Sequence, residues 1–195
     1  MLEQLDRPRS RRLTICGLGE LGSYQDADVT HVLSILDPGF PEPADFASFK
    51  PHERLTLRFD DVIAPVVGFS PPQRHHIEAL LAFGETLAAV ADDPLSHLLV
   101  HCHAGISRST ASMAALLAQS RPDIDEDAVF VRVREIRPQA WPNSLMVEMA
   151  DDMLGRDGRF LAALRRLHAE QMNRQPNLVD LIRRCGRERE LQLAG

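Results

Sequence analysis

Residues 98–115 read LLVHCHAGISRSTASMAA, and this stretch carries both the clearest structural pattern and the clearest chemical pattern of the chain. The apolar run at 97–102, HLLVHC, predicts a buried strand suited to the centre of a parallel sheet. From about Arg108 to Gln119 the sequence is apolar nearly all round a helical wheel, which predicts a buried helix. A thiol, Cys102, therefore lies at a strand end, six residues before an arginine that begins a helix.

The composition is that of a soluble globular domain. The chain has 195 residues, 44% hydrophobic and 26% charged, which favours one domain with a sizeable core. A net charge of −6 argues against a nucleic-acid partner, and the sequence lacks the run of about 18 uncharged apolar residues that a membrane span needs. The three cysteines, Cys16, Cys102 and Cys185, form no regular disulfide pattern, so we expect a cytoplasmic location.

Strand and helix patterns first alternate along the chain and then become purely helical. Further strands are predicted at 13–16, 30–36 and 54–59. A helix is predicted to begin at Ser70, with Ser70 as its cap and proline in its first turn, and to end near Asp92. Beyond the helix that begins at Arg108, helices are predicted at about 124–136, 143–154 and 158–172, and an amphipathic tail follows from 177. This order predicts an α/β fold in which helices flank a small, mostly parallel central sheet.

A glycine-rich segment near the N-terminus matches a nucleotide-binding pattern. Residues 17–22, GLGELG, fit GxGxxG, and Asp37 ends the next predicted strand. The residues between them, SYQDADVT at 23–30, are too few and too polar for the crossover helix that joins two parallel strands. We therefore interpret GLGELG as a turn, and the sequence predicts no cofactor.

The segment after the central strand has the chemistry of an anion site. Residues 103–108, here called the cysteine loop, connect a strand to a helix, and Gly105 permits the tight turn this requires. The N–H groups of such a loop point inward at a helix N-terminus, where they bind phosphate-like anions and favour a thiolate. Arg108 offers a planar two-pronged contact to phosphate oxygens, and Ser109 can hydrogen-bond the sulfur. The predicted substrate-binding residues are His103, Ala104, Gly105, Ile106, Ser107 and Arg108, around a nucleophile at Cys102.

The histidines on either side of Cys102 raise the alternative of a zinc site. Successive side chains of a strand point to opposite faces of the sheet, so His101, Cys102 and His103 do not readily share one ion. No metal is predicted.

The pattern HCHAGISRS at 101–109 resembles HCxxGxxR[ST], the signature of the cysteine-dependent protein tyrosine phosphatase superfamily. AGISRS looks most like the compact dual-specificity branch, and the segments GLGEL, DVTHVLSIL, LRFDD and RPQAWPN are similar to segments of that branch. The resemblance covers about residues 13–154. It implies a phosphatase-like three-layer α/β sandwich, with residues 1–195 as a single phosphatase domain and about 155–195 as a helical extension.

The resemblance also implies catalytic roles. It implies a two-step hydrolysis through a phosphocysteine at Cys102, in which Ser109 assists loss of the thiolate and His101 donates a hydrogen bond behind the nucleophile. The general acid must come from LRFDD and be protonated near the working pH. Asp61 matches the family position better than Asp60, for which a capping or loop-orienting role is the alternative. Asn143 matches a family asparagine, although the glutamine that often follows it in related enzymes is absent.

The implied substrates are phosphorylated proteins or small phosphomonoesters. His103 and Ile106 stand where inositide-directed relatives tend to carry lysines, which disfavours a lipid polyphosphate. Without a long phosphotyrosine-recognition extension, the site resembles a shallow one that also admits phosphoserine and phosphothreonine. The alternative function is a catalytically weak or inactive phosphoresidue-binding module of the same fold. The sequence leaves the oligomeric state open.

Overall fold

The computed structural model of the chain describes residues 12–89 and 95–194. Within these ranges the sheet has four strands, all parallel, and all four lie where the sequence predicts them. In spatial order they run β1, β4, β2, β3. Their bounds are Arg12–Gly17 for β1, His31–Leu36 for β2, Glu53–Arg58 for β3 and His97–Cys102 for β4.

The central position of β4 follows from its composition. All six of its residues are buried, because β1 and β2 flank it and further layers cover both of its faces. In a parallel sheet the carboxyl ends of the strands meet at one edge. That edge therefore collects Cys102 from β4, Asp37 from just after β2, and Asp60 and Asp61 from just after β3.

Seven α-helices occur in the described residues. Of the six that follow β4, the first four lie close to their predicted bounds and the last two lie in the predicted tail. The first helix ends at Ala88, and its predicted end near Asp92 falls outside the described residues. None of the described helices is long and apolar enough to cross a membrane. The helices are α1 Arg74–Ala88, α2 Arg108–Ser120, α3 Glu126–Ile136, α4 Ser144–Met153, α5 Arg159–Arg174, α6 Pro176–Arg184 and α7 Glu188–Ala194.

The predicted start of the first helix at Ser70 is wrong. The helix α1 begins at Arg74, and the backbone of Ser70 instead closes a loop with Asp60. The Ser70 N–H donates to Asp60 Oδ2 at 2.6 Å, and the Ser70 carbonyl accepts from the Asp60 N–H at 2.7 Å. A residue that precedes proline is pushed out of the helical conformation, and Pro71 and Pro72 follow in succession. The two prolines therefore extend the chain before the helix begins.

The sheet lies between two unequal layers. On one face, α1 to α5 form the main core together with inward-facing residues of all four strands. The other face is covered by two short 3-10 helices, Leu18–Tyr24 and Ala44–Ser48, over a smaller apolar cluster. GLGELG thus forms the end of β1 and a 3-10 turn, as predicted, and no crossover helix follows it. The result is the predicted three-layer α/β arrangement.

The C-terminal helices form a third apolar cluster. Its buried members are Trp141, Leu178, Ile182 and Leu191, and Ile106 of the cysteine loop packs against it. The fully buried Trp141 links the core to α6 and α7. The C-terminal segment therefore lies against the same edge of the sheet as Cys102.

Candidate active site

The nucleophile candidate lies where the sequence predicts it. Cys102 ends β4 and is buried, and its Sγ lies 3.2 Å from the Oγ of Ser109 in the first turn of α2. Cys16 packs on the opposite face of the sheet, in a separate apolar cluster, and the three cysteines are free. Burial raises the pKa of the Cys16 thiol to about 12, so this second thiol stays protonated. The thiol of Cys102 and the hydroxyl of Ser109 are therefore within hydrogen-bonding distance of each other, as predicted.

The cysteine loop turns its carbonyl groups outward. Each carbonyl from residue 103 to residue 107 accepts a hydrogen bond from a group outside the loop, which leaves the N–H edge of the loop on the inner side, as an anion site requires. The pairs are His103 O with Leu18 N at 3.0 Å, Ala104 O with Arg137 Nη2 at 3.1 Å, Gly105 O with Arg137 Nε at 3.0 Å, Ile106 O with Trp141 N at 2.8 Å, and Ser107 O with Ala111 N at 2.9 Å.

Gly105 is required at the tightest point of the loop. Its φ is +69°, and a Cβ at this position would lie 2.5 Å from the carbonyl carbon of Cys16 and 2.6 Å from the nitrogen of Gly17. Only glycine fits both the backbone conformation and the space. The cysteine loop therefore packs directly on the end of β1.

An ion pair that the sequence reasoning missed holds the loop in place. Arg137 donates to both carboxylate oxygens of Glu20 at 2.8 Å, and the same guanidinium binds the carbonyls of Ala104 and Gly105. The Gly17 N–H adds a third bond to Glu20 at 2.6 Å. The hydrogen bond from Arg137 lowers the pKa of Glu20, so the pair stays charged. Glu20 belongs to GLGELG, a segment that we interpret from the sequence only through its glycine pattern.

The arginine predicted to bind phosphate has a counter-ion within the protein. Arg108 is buried, and its Nη1 donates to Asp37 Oδ1 and to the carbonyl of Phe59, both at 2.6 Å. The backbone N–H of Asp37 in turn donates to His103 Nε2 at 3.3 Å. The sequence marks Asp37 only as part of a turn signal, yet the structure makes it the residue that orients Arg108. The guanidinium is thereby aligned before any anion enters.

The two candidate acids have different surroundings. The carboxylate of Asp60 accepts from the Ser70 N–H and closes its own loop. The Oδ1 of Asp61 instead faces the cysteine loop, where it accepts from Ser107 Oγ at 2.7 Å and from Asn143 Nδ2 at 2.9 Å. A third donor, Arg187 Nη1, lies 3.2 Å from the same oxygen. Asp61 is thus the acid that the structure brings to the predicted site.

The charge state of Asp61 differs from the expectation of a protonated acid. Burial raises the pKa of this carboxyl, but the charges of Arg187 and Arg108 and the hydrogen bonds from Asn143 and Ser107 outweigh burial, and the net direction is downward. These surroundings therefore favour the carboxylate form of Asp61. A phosphate dianion bound beside it would act in the opposite direction, because like charges disfavour ionisation.

Asn143 reaches the site although the glutamine after it is missing. Its Oδ1 caps α4 by accepting from the Met146 N–H at 3.1 Å. Its Nδ2 then points to Asp61 Oδ1 and to the carbonyl of Val62. One side chain therefore ties the start of a helix to the loop that carries the acid.

His101 lies behind the strand end but faces the other side of the sheet. Its Nε2 lies 2.7 Å from Ser34 Oγ of β2, and its ring is near Phe46 in the small outer layer. Burial lowers the pKa of His101 to about 4, so the ring is neutral. The ring contacts β2 and the outer layer, and it also forms a hydrogen bond with the backbone of Cys102, which acts against the effect of burial on its pKa.

Comparisons with known proteins find similarity at the level of the fold. No family model matches the chain, and no curated protein matches it. Among solved structures, human DUSP28 is 21% identical with a TM-score of 0.56, covering 74% of this chain and 92% of that one. A Cydia pomonella PTP-2 phosphatase is 19% identical with a TM-score of 0.55, covering 75% and 87%. A mouse protein described as a dual specificity phosphatase, in complex with zinc tungstate, is 20% identical with a TM-score of 0.55, covering 80% and 92%.

The chain therefore has the fold of the cysteine-dependent protein tyrosine phosphatase superfamily, which confirms the resemblance found in the sequence. Its form is that of the compact dual-specificity phosphatases. The alignments to human DUSP28 and to the mouse protein cover nearly all of those two chains but leave about a fifth to a quarter of this chain outside.

Proposed function

We propose that the chain is a phosphomonoester hydrolase of the protein tyrosine or dual-specificity type, acting through a phosphocysteine at Cys102. The observation that carries the proposal is the cysteine loop, whose carbonyls from 103 to 107 accept hydrogen bonds from groups outside the loop, next to a thiol that ends the central strand. A thiol alone is a common packing residue. A thiol inside an anion-binding loop, with an aligned arginine and a carboxyl group facing that loop, suits phosphoryl transfer.

In the first step the phosphate occupies the loop, bound by the N–H groups of residues 103–108 and by the Arg108 guanidinium. The Cys102 thiolate attacks phosphorus, the S–P bond forms, and the P–O bond to the leaving group breaks. Asp61 gives its proton to the departing oxygen. Because the protein groups around Asp61 favour its ionised form, it must take up that proton as the phosphate dianion binds.

In the second step water attacks the phosphocysteine. Asp61, now a carboxylate, takes a proton from the water, the S–P bond breaks, and inorganic phosphate leaves. Ser109 Oγ, 3.2 Å from the sulfur, donates a hydrogen bond to the departing thiolate. Asn143 keeps the carboxylate of Asp61 directed at the loop through both steps.

The proposed substrate is a phosphorylated protein or a small phosphomonoester, handled in the cytoplasm by a single domain without a cofactor. Exposed apolar side chains lie on two segments near the site. Phe40 lies edge-on to His103 with ring centroids 4.5 Å apart, and Val67 and Phe69 are exposed on the loop that carries the acid. An apolar surface of this kind favours an aryl or peptide phosphate over a polyanionic headgroup.

The rival function, a phosphoresidue-binding module, is favoured by two observations. The ionised Asp61 and the Asp37 counter-ion on Arg108 weaken acid catalysis and transition-state binding more than they weaken simple recognition of a phosphate group. A binding module needs the cysteine loop but neither a thiol nor an acid.

Turnover of an activated aryl phosphate separates the two functions. We expect the wild type to release phosphate, and Cys102→Ser to retain less than a few per cent of that rate while still binding orthovanadate or inorganic phosphate in calorimetry. Cys185→Ser, which changes an exposed thiol, is the matched control and keeps full turnover. Near-normal turnover in Cys102→Ser contradicts the phosphocysteine mechanism. A wild type that binds a phosphotyrosine peptide without hydrolysing it supports the binding module.

A further inference from the structure

The C-terminal extension places an arginine inside the candidate site. Arg187 precedes α7 and is buried, with only 2% of its surface exposed. Its Nη1 donates to Ser107 Oγ of the cysteine loop at 2.5 Å and lies 3.2 Å from Asp61 Oδ1. The motifs that carry the phosphatase resemblance end at about residue 154, so this contact comes from outside them.

Arg187 is fixed from its other side by Glu190. Arg187 Nη2 lies 2.7–2.8 Å from both carboxylate oxygens of Glu190. Glu190 is itself anchored, because it accepts from Trp141 Nε1 at 2.8 Å and from the Ser144 N–H at 2.9 Å. The guanidinium therefore has one defined place between the extension and the acid.

Apolar packing ties the same segment to the cysteine loop. Leu178, Ile182 and Leu191 pack around Trp141, and Ile106 of the loop packs against that cluster. The Trp141 N–H donates to the carbonyl of Ile106 at 2.8 Å. The extension and the loop thus share one small core, which keeps Arg187 in register with Asp61.

Arg187 has two ionic partners, Glu190 and Asp61, although one would be enough to neutralise its charge. Glu190 alone neutralises Arg187, so the approach to Asp61 is a second ionic contact beyond the one that burial of an arginine demands. Four charged or titratable groups face Asp61: Arg187 from the extension, Arg108 from α2, His103 from the cysteine loop and the adjacent Asp60. Arg187 is in turn faced by Glu190, His168 and Cys185, and Arg108 is faced by Asp37.

We infer that Arg187 is a positioning residue for the reaction proposed above. It holds the Asp61 carboxylate against Ser107, so that the C-terminal extension completes the active site. The inference rests on the proposed function for its catalytic meaning, but the contact itself concerns only Asp61 and Arg187. One consequence is that the extension sets the pH at which Asp61 gains its proton.

The test measures that protonation directly. Carboxyl ¹³C NMR follows the titration of Asp61 in the intact chain, with its resonance identified by its loss in Asp61→Asn. The informative variant is Arg187→Gln combined with Glu190→Gln, which removes both members of the buried pair, and Glu190→Gln alone is the matched control. We expect the Asp61 midpoint to rise by about one pH unit or more in the double variant relative to the control. Arg187→Lys keeps a cation at the position and is expected to keep the midpoint low.

The pH profile of kcat/KM supplies the second readout. Its alkaline limb is expected to move in the same direction as the NMR midpoint in the double variant, which a merely structural role does not produce. An unchanged Asp61 midpoint in the folded double variant, or a midpoint in Arg187→Lys that rises as far as the double variant's, overturns the inference. Absence of turnover in the wild type overturns the proposed function instead, and the NMR midpoint still decides the role of Arg187.

Discussion

Replacing Gly105 with alanine tests the geometry of the cysteine loop. The new Cβ would lie 2.5 Å from the carbonyl carbon of Cys16 and 2.6 Å from the nitrogen of Gly17, whereas ordinary contact begins near 3.4 Å. Both atoms belong to β1, whose register with β4 runs up to the pair Gly17 and Cys102. The sheet cannot give way, so the loop must retreat by about 0.9 Å.

Two costs add in this variant. An alanine at a φ of +69° loses roughly 1–2 kcal/mol of conformational energy, and the steric overlap adds roughly 1–3 kcal/mol. The expected loss in the free energy of unfolding is therefore about 2–5 kcal/mol. Turnover falls further, because a displacement of about 1 Å in a group that positions the substrate costs on the order of 10²-fold.

Gly155→Ala is the matched control for the loop variant. Gly155 has a φ of +63°, but a Cβ there meets nothing within 4 Å, so the variant carries the conformational cost without the overlap. Urea unfolding and kcat/KM for an aryl phosphate are measured for both variants. We expect Gly155→Ala to lose about 1–2 kcal/mol and to keep its kcat/KM. If Gly105→Ala is no less stable than Gly155→Ala and keeps its kcat/KM within about 3-fold, far from the 10²-fold expected of a displaced loop, the reasoning is refuted.

Two further predictions concern protons. Asp61→Asn should slow hydrolysis of an alkyl phosphate by about 10²-fold or more, with a smaller loss for an activated aryl phosphate. Asp60→Asn should change neither rate, because an amide oxygen still accepts from the Ser70 N–H; the reverse result would assign the acid to Asp60. Burial lowers the pKa of His168 to about 4, so the unfolded chain binds its proton first as the pH falls from about 6.5. His168 should therefore remove about 2 kcal/mol from the free energy of unfolding between pH 7 and pH 5. Urea titrations at both pH values should show this loss reduced by that amount in His168→Gln, and an equal loss in variant and wild type would contradict the prediction.

Local sequence patterns were sufficient for the elements that build the site edge. The edge strand β3, ERLTLR, alternates polar and apolar residues, whereas β4 is the continuous apolar run HLLVHC. The run identified the centre of the sheet, because a strand that is covered on both faces carries apolar side chains on both. The placement of Cys102 and Ser109 followed from the same stretch. The start of α1 was predicted wrongly because a serine followed by proline can either cap a helix or end a loop. Only the hydrogen bond between Ser70 and Asp60, which the sequence does not show, decides for the loop.

The ion pairs that fix the cysteine loop and orient Arg108 could not be predicted from sequence patterns. Glu20 and Arg137 lie 117 residues apart in the chain, and the residues around each of them do not predict that the two side chains form a contact. Asp37 reads as the first residue of a turn, although its carboxylate is the counter-ion of Arg108. A charge pair of this kind becomes visible only when the sheet brings its strand ends together.

What the sequence by itself determined is the cysteine loop and its flanking strand and helix, since the proposed nucleophile, the loop and the proposed phosphate-binding arginine are contiguous between Cys102 and Ser109 and depend on local backbone geometry. What only the tertiary structure decided is the state of the acid. Asp61 is ionised because Arg187, 126 residues away, is buried beside it by the packing of the C-terminal helices. Proton affinity depends on every charge within a few ångströms and on the exclusion of water, and both are properties of the folded chain rather than of any segment.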